Sequence, residues 1–216
     1  QHITWGDFDN DTRGDMVTAN NQIIGNVTLL KGQADGSFGS YALRTGARPT
    51  AMATGFVNAD AYEDLVVVHD QQKRLATMLG NGDGTFQNSL FDTCWWGMSS
   101  IELGDFNNDL KLDVVAVGTA TNILSGNNTG HFTLLGSLNT GFLGGGDYSS
   151  AQGDFNHDNN LDLIVTFNNA DSFAVLLGNG DFTFDAPVKY YAGDLPMETI
   201  ASDMNNDGNL DLLIAN

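Results

Sequence analysis

Residues 154–162 read Asp154-Phe155-Asn156-His157-Asp158-Asn159-Asn160-Leu161-Asp162, and the apolar run Leu163-Ile164-Val165 follows immediately. Side chains that carry an oxygen ligand stand at the first, third, fifth and ninth positions of this segment. A hard dication such as Ca²⁺ prefers six to eight oxygen ligands at roughly 2.3–2.6 Å, and alternate residues of a tight loop can direct such oxygens at one centre. Asn159 and Asn160 suit a bent backbone, because Asn tolerates left-handed conformations. The segment is therefore a candidate calcium-binding loop.

The same loop recurs at a constant interval. Its first positions are residues 7, 56, 105, 154 and 203, so that each step is 49 residues. In the copy that starts at Phe56 the first ligand is lost, and only Asn58, Asp60 and Asp64 remain. The four complete copies place candidate ligands at Asp7, Asp9, Asp11 and Asp15; at Asp105, Asn107, Asp109 and Asp113; at Asp154, Asn156, Asp158 and Asp162; and at Asp203, Asn205, Asp207 and Asp211. A fixed period of this length indicates a repeat architecture.

The charge balance agrees with metal ligands and argues against nucleic acid as a partner. The chain has 27 Asp and Glu residues against 8 Lys and Arg, for a formal net charge of −19. Thirteen of the acidic residues lie at ligand positions of the four complete loops. Nucleic-acid binding depends on Lys and Arg against phosphates, so this composition excludes it as the expected function.

Each repeat follows one order of short segments. An apolar segment precedes the loop, and a run rich in branched apolar residues follows it. A third segment ends in a pair such as Leu176-Leu177 before Gly178. A tight-turn sequence such as Asp83-Gly84 then leads to a fourth segment that begins with Phe. Four short strands per repeat without helical periodicity predict an all-β fold made of β-propeller blades, each with four antiparallel strands.

The chain holds about four and a half such repeats, which start near residues 3, 51, 100, 150 and 199, and the last is incomplete. We interpret residues 1–216 as a single repeat domain. An EF-hand is excluded, because the twelfth loop position holds Thr18, Ala116, Val165 or Ile214 in place of Glu. The second loop position is always apolar, and we expect Phe8, Val57, Phe106, Phe155 and Met204 to plug the space beneath each loop. We also expect Trp5 to lie in the core.

The Asp-Phe-Asn-x-Asp-x-x-x-Asp loop before an apolar strand, together with residues 78–86, resembles FG-GAP (VCBS-type) repeats. Such repeats form the calcium-loop blades of integrin α-subunit β-propellers and of some secreted lectins. The resemblance implies Ca²⁺ as the cofactor, with a further carbonyl ligand from the seventh loop residue, which is Arg13, Lys111, Asn160 or Asn209. It also implies that the loop at Phe56 is weak or empty.

The number of blades leaves two alternatives open. The family usually has seven blades, so the repeats can be part of a seven-bladed ring. Alternatively, they form an open array whose unpaired blade edge is covered by another copy in a homo-oligomer or filament.

The connections at the end of the blades opposite the loops supply candidate ligand-binding residues. Aromatic and Arg side chains at loop tips suit sugar stacking or a protein contact, although packing between blades explains a single Trp equally well. These candidates are Arg44, Arg48, Trp95, Trp96, Tyr190 and Tyr191.

Other features bear on the cellular setting and on catalysis. No run of 18 apolar residues is present, so no membrane span is predicted. Cys94 is the only cysteine, which excludes an internal disulfide. Sequons at Asn26 and Asn127 are candidate glycosylation sites, and an extracellular or cell-surface setting is expected. The four His residues lack metal-ligand spacing and no Ser/His/Asp order is present, so we do not expect an enzyme.

The sequence therefore favours a calcium-stabilised extracellular module for recognition or adhesion, with a glycan or an extracellular protein as its partner. A structural subunit of a head-to-tail filament or coat is the alternative. An accessory domain of a secreted enzyme is a third hypothesis.

Overall fold

The computed structural model describes residues 2–20, 26–43, 48–95, 97–141 and 147–216, with the backbone alone at residues 42, 70, 147 and 148. These residues contain 18 β-strands and two short 3₁₀ turns, at Asp70–Gln72 and Asn168–Ala170. The strands are β1 Ile3–Gly6, β2 Asp15–Asn20, β3 Asn26–Gly32, β4 Phe38–Leu43, β5 Pro49–Gly55, β6 Asp64–His69, β7 Arg74–Met78, β8 Leu90–Thr93, β9 Met98–Gly104, β10 Asp113–Gly118, β11 Thr121–Gly126, β12 Phe132–Leu138, β13 Asp147–Gly153, β14 Asp162–Phe167, β15 Ser172–Leu176, β16 Val188–Tyr191, β17 Glu198–Ser202 and β18 Asp211–Ala215.

The strands form four sheets of four antiparallel strands and one two-stranded sheet. We name these sheets blade 1 (β1–β4), blade 2 (β5–β8), blade 3 (β9–β12), blade 4 (β13–β16) and blade 5 (β17–β18). Within each blade, consecutive strands pair with each other, as in a meander. The predicted all-β fold of four-stranded antiparallel blades is confirmed.

The first strands of the blades (β1, β5, β9, β13 and β17, the inner strands) lie side by side. Each contacts the inner strand of the next blade. Thr54 Oγ1 donates a hydrogen bond to the carbonyl oxygen of Trp5 at 3.2 Å, and Gln152 Nε2 donates to that of Leu103 at 2.5 Å. Side chains at this repeat position therefore connect a blade to the one before it.

The cores of the fold lie between consecutive blades. Every residue of β6, β10 and β14 is buried, so these three second strands are covered on both faces. One apolar cluster joins blade 1 to blade 2, a second joins blade 2 to blade 3, and a third joins blade 3 to blade 4. Each blade is thus stabilised mainly by its neighbours.

The apolar residue at the second loop position packs against the next blade. Phe8, Val57 and Phe106 are buried, and the ring centroid of Phe8 lies 5.5 Å from that of Phe86 in blade 2. The carbonyl oxygens of these three residues accept hydrogen bonds from backbone N–H groups of the following blade, at Gly84, Gly130 and Phe182.

The expectation of a buried plug is wrong for the last two loops. Phe155 is only half-buried and Met204 is 50% exposed. Blade 5 consists of β17 and β18 alone, so Phe155 meets no third-to-fourth strand hairpin of a following blade. Met204 is followed by no further blade in the described chain.

Trp5 also differs from the sequence-based expectation of a core residue, because its side chain is 74% exposed. The residues at its repeat position, such as Thr54 and Gln152, bond to the preceding inner strand. No inner strand precedes β1 in the described chain, so Trp5 has no such surface to cover it.

Substitution of Phe106 by Ala should destabilise the protein far more than substitution of Phe155 by Ala. Loss of a buried Phe typically costs about 3–5 kcal/mol, whereas a half-buried Phe without a facing hairpin should cost less than about 2 kcal/mol. Urea unfolding of the two variants measures the difference, since both have the same chemical change at the same loop position. Equal losses would contradict the packing described for these loops.

Candidate functional site

The ninth residue of each loop holds the loop against its own blade. Asp113 is fully buried; its Oδ2 accepts the N–H of Phe106 at 3.1 Å and its Oδ1 accepts that of Gly126 at 2.9 Å. The Gly is required at this point, because a Cβ on Gly126 would overlap the carbonyl oxygen of Leu112. Asp15, Asp64 and Asp162 make the same pair of bonds in their own blades, and Asp211 accepts only from Met204.

The first loop residue closes the turn in the four complete copies. Asp105 Oδ1 accepts the N–H of Asp109 at 2.9 Å and Oδ2 accepts that of Leu110 at 2.8 Å. Asp7, Asp154 and Asp203 accept the equivalent pairs of N–H groups. All these carboxylates therefore point inward to the loop.

The bent backbone falls at the fourth and sixth positions of these loops. Positive φ angles occur at His157 (61°) and Asn159 (66°), and the other complete loops have them at the equivalent residues. The expectation is thus confirmed for Asn159 and wrong for Asn160, whose N–H instead donates to Asp158 Oδ1. In the loop at Phe56, residues 56–64 have no positive φ, so this copy folds differently around the retained Asp64.

The first loop fits a cation most directly. Asp7, Asp9 and Asp15 each offer one carboxylate oxygen, and the three atoms lie within 4.8 Å of one another. Asp9 Oδ1 is buried and has no hydrogen-bond partner. A buried, unpaired carboxylate oxygen among other carboxylates is costly unless a positive charge accompanies it. This donor set consists of hard oxygen ligands, which suit Ca²⁺.

Basic side chains reach into two of the four complete loops. Lys111 Nζ lies 2.8 Å from Asp109 Oδ2, and Arg13 pairs with Asp11. Lys31, from the third strand of blade 1, lies 3.5 Å from Asp9 Oδ2 and donates to the carbonyl oxygen of Asp83. The loops at residues 154 and 203 have Asn160 and Asn209 at the seventh position, so no equivalent internal cation competes there.

The environment of each carboxyl group sets its pKa. Burial raises the pKa of Asp64 and of Asp113 to about 6, against the opposing effect of their backbone hydrogen bonds. The hydrogen bond from Lys111 lowers the pKa of Asp109 below its ordinary value. Asp64 and Asp113 are thus buried groups that brace the blade, whereas Asp109 is an exposed group whose pKa is lowered.

Side chains also link consecutive loops. Asn108 Nδ2 donates to Asn160 Oδ1 at 2.8 Å, and His157 Nε2 lies 2.9 Å from Asn209 Oδ1. In both contacts the fourth residue of one loop meets the seventh residue of the next.

The candidate ligand-binding residues that the structure describes belong to separate connections and strands at the opposite end of the blades. Arg44 and Trp96 lie outside the described residues. Arg48 is half-buried, Trp95 is 41% exposed, and the two belong to different connections between blades. Tyr190 stacks on Phe173 with ring centroids 5.2 Å apart, and the Tyr191 hydroxyl donates to Asp194.

The two candidate glycosylation sites differ in accessibility. The Asn26 side chain is half-buried and its Oδ1 accepts from Asn20. The Asn127 side chain is exposed, and its Oδ1 accepts from the backbone and hydroxyl of Thr129.

The inner strands line a cavity of about 790 Å³ that the sequence reasoning missed. Glu102 of β9 lines it, where the equivalent residues of the other repeats are Thr4, Ala53, Ala151 and Ile200. Burial raises the pKa of Glu102 to about 7. The available signal was this single acidic residue at a position that is otherwise small or apolar.

Comparison with known proteins identifies the repeats. The model of the FG-GAP-like repeat family matches residues 57–116 and 154–214. No curated protein sequence matches the chain. None of the described residues forms a helix that is long and apolar enough to cross a membrane.

Similar solved structures share the fold at low sequence identity. An Agrocybe aegerita lectin, described for its recognition of non-reducing terminal N-acetylglucosamine, is 18% identical with a TM-score of 0.64; the match covers 98% of this chain and 59% of the lectin. A V. cholerae biofilm matrix protein is 17% identical (TM-score 0.53), and the match covers 98% of this chain and 34% of that protein. A periplasmic gluconolactonase of Pseudomonas aeruginosa is 11% identical (TM-score 0.56), with coverage of 100% and 73%. These similarities establish β-propeller-like blades.

Substitution of Asp113 by Ala should lower stability even in a metal chelator. It leaves the N–H groups of Phe106 and Gly126 buried without an acceptor, and a buried unsatisfied group costs about 1–3 kcal/mol. Asp109→Ala in the same loop is the control, because Asp109 is exposed and should change stability by less than about 0.5 kcal/mol in chelator. Denaturant unfolding in chelator compares them, and a loss no greater for Asp113→Ala than for the control would show that Asp113 does not brace the blade.

Proposed function

The chain belongs to the FG-GAP-like repeat family, and on that premise we propose that it is a calcium-stabilised extracellular module that recognises a carbohydrate or a protein. The observation that carries the calcium assignment is the first loop, where three carboxylate oxygens converge and Asp9 Oδ1 lacks a partner. The complete loops at residues 105, 154 and 203 repeat its hydrogen-bonded turn. The bound ion supplies the positive charge that these inward-facing oxygens require.

In each complete loop the ion would be held by oxygen atoms at fixed positions of the repeat. Side-chain oxygens at the first, third, fifth and ninth positions and the carbonyl of the seventh provide oxygen ligands. Since the ion binds the folded loop and not the unfolded chain, each occupied loop adds RT ln(1 + [L]/Kd) to the free energy of unfolding. With ~1 mM ion and a Kd of ~0.1 mM this is roughly 1.4 kcal/mol per loop.

We assign a binding role in place of catalysis. Thirteen of the 27 acidic residues stand at ligand positions of loops with metal-ligand spacing. His131 pairs with Asp92 at 3.0 Å and His157 with Asn209, and both histidines are exposed. An arrangement of metal loops on a rigid sheet framework favours presentation of a binding surface.

Two kinds of observation support recognition as the function. Exposed aromatic side chains, including Trp95 and Tyr191, are available at the blade ends opposite the loops. Among proteins with the same fold, one is a lectin and another is a biofilm matrix protein. The proposed setting outside the cell is supported by the similarity to a biofilm matrix protein and by loops of a kind that extracellular calcium concentrations can fill.

Assembly into a head-to-tail filament is the second candidate function, and the edge of β18 is the surface through which chains would associate. β18 pairs only with β17, and its Leu213 is 55% exposed. Unpaired strand edges are templates for association between chains. The filament hypothesis stays a prediction.

Substitution of Lys111 by Asn should raise the calcium affinity of the third loop. The substitution removes the ammonium group that pairs with Asp109 and installs the residue found at this position in the loops at 154 and 203. Isothermal titration should show tighter binding at one site, and calcium should raise Tm more in the variant than in the wild type. Lys73→Asn is the matched control, because it changes the net charge equally in the turn between β6 and β7.

An unchanged titration for Lys111→Asn would contradict competition between Lys111 and the ion. A wild-type protein whose Tm does not respond to calcium or chelator would contradict the calcium assignment itself.

Recognition is tested on a glycan array with calcium and with chelator. The proposed function predicts binding to a defined set of glycans that is lost, or weakened at least about tenfold, in chelator, because the loops order the blades that carry the binding surface. Binding to glycans that chelator leaves unchanged would contradict the calcium dependence. The absence of binding to every glycan would contradict carbohydrate recognition and leave a protein as the partner.

A further inference from the structure

The cavity among the inner strands has the size and chemistry of a ligand site. Its volume of about 790 Å³ lies within the roughly 300–1,000 Å³ typical of small-molecule sites. Hydroxyl side chains contributed by all five inner strands line it, among them Thr4, Thr50, Ser100, Ser150 and Thr199. Among the described residues, no Lys or Arg lines the cavity. The lining of the described residues is therefore rich in hydrogen-bonding groups and lacks a Lys or Arg that would attract an acid.

Glu102 is the central polar group of this lining. Ser150 Oγ, from blade 4, lies 2.8 Å from Glu102 Oε1 and 2.9 Å from Ser100 Oγ. The carboxyl group thus stands on the cavity wall where blade 3 meets blade 4, held by a hydroxyl group of the next blade. Because burial raises its pKa to about 7, it is present in both protonation states near neutral pH and can accept or donate a hydrogen bond.

Several polar atoms of the lining residues have no partner within the described chain. Thr199 is 5% exposed and its Oγ1 makes no hydrogen bond, and the same holds for Oε1 of Gln152 and Nδ1 of His2. Buried polar groups in folded proteins are nearly always paired with protein, ordered water or ligand. These lining residues therefore retain hydrogen-bonding capacity that the described chain does not use.

The charges on the wall restrict what those molecules can be. Among the lining residues that the structure describes, Glu102 and Glu198 are the only acidic ones and His2 is the only basic one. Burial lowers the pKa of His2, so its imidazole is neutral at pH 7. A ligand with an acidic group would meet only like charge and neutral groups, whereas a protonated amine would meet a carboxylate.

We propose that this cavity binds a monosaccharide-sized, polyhydroxylated ligand that is neutral or carries an amine and has no acidic group. The serine and threonine hydroxyls bond to the hydroxyl groups of the ligand, and Glu102 bonds to its amine or to a hydroxyl. The inference rests on the proposed function, since it specifies a site and a ligand class for carbohydrate recognition. It involves none of the proposed metal ligands.

The test compares three sugars of similar size and different charge. Isothermal titration with the full chain in calcium uses glucosamine, glucose and glucuronate as probes. We expect glucosamine to bind most tightly, glucose more weakly and glucuronate not measurably. Glucuronate binding as tight as glucosamine binding would overturn the proposal, and so would the absence of binding by all three.

Glu102→Gln tests whether the carboxyl group contacts the ligand. The variant should bind glucosamine about tenfold more weakly or worse, because a charge-assisted hydrogen bond is lost, and bind glucose within about threefold of the wild type. Asp185→Asn is the matched control, since it removes the same charge from an exposed position in the connection before β16. Unchanged glucosamine affinity in Glu102→Gln, or an equal loss in Asp185→Asn, would overturn the proposal.

Two further measurements separate loss of binding from other causes. A Tm for Glu102→Gln at or above that of the wild type shows that the fold is intact. Ser150→Ala removes the hydroxyl partner of Glu102 and should also bind glucosamine more weakly than the wild type. If Glu102→Gln keeps the wild-type pattern on a glycan array and free glucosamine does not compete, the cavity proposal fails while carbohydrate recognition elsewhere on the module stands.

Discussion

Each four-stranded blade depends on one buried carboxylate that accepts two backbone N–H groups. Asp113 connects the start of its loop, at Phe106, to the end of the third strand, at Gly126, and so fixes three strands of the blade relative to each other. Asp64 does the same in the copy where Phe56 has replaced the first ligand, and that blade is as complete as the others. The ninth loop position is therefore a structural requirement even where the first ligand of the proposed metal site is missing.

The blades depend on each other in one direction along the chain. The second loop residue packs on the hairpin of the next blade and accepts its backbone N–H, as Phe106 does from Phe182. Stability is thus built from nearest-neighbour interfaces, as in other repeat proteins. This explains why the second loop residue is buried in the first three repeats and exposed in the last, although it is apolar in every repeat.

The constant period of 49 residues allowed the blades, their strand order and the loops to be predicted from sequence, because these depend on contacts within one repeat. Predictions failed where a residue depends on which blade lies beside it, as for Trp5 and Met204. The pairing of Lys31 with Asp9 could not be predicted from sequence either, because it requires the third strand to approach the loop. The cavity was missed because its lining comes from five repeats, and only the departure of Glu102 from its repeat position marked it.

The two proposed sites share the inner strands. Each inner strand passes along the cavity wall and ends directly before a loop, as β9 ends at Gly104 before Asp105. Under the proposed function, an ion that orders the loop also fixes the end of the strand that carries Glu102, two residues before Gly104. The contact between Asn108 and Asn160 joins the loops of the two blades that hold Glu102 and Ser150. Calcium at one end of these strands would thus set the spacing between the groups that contact a ligand in the cavity.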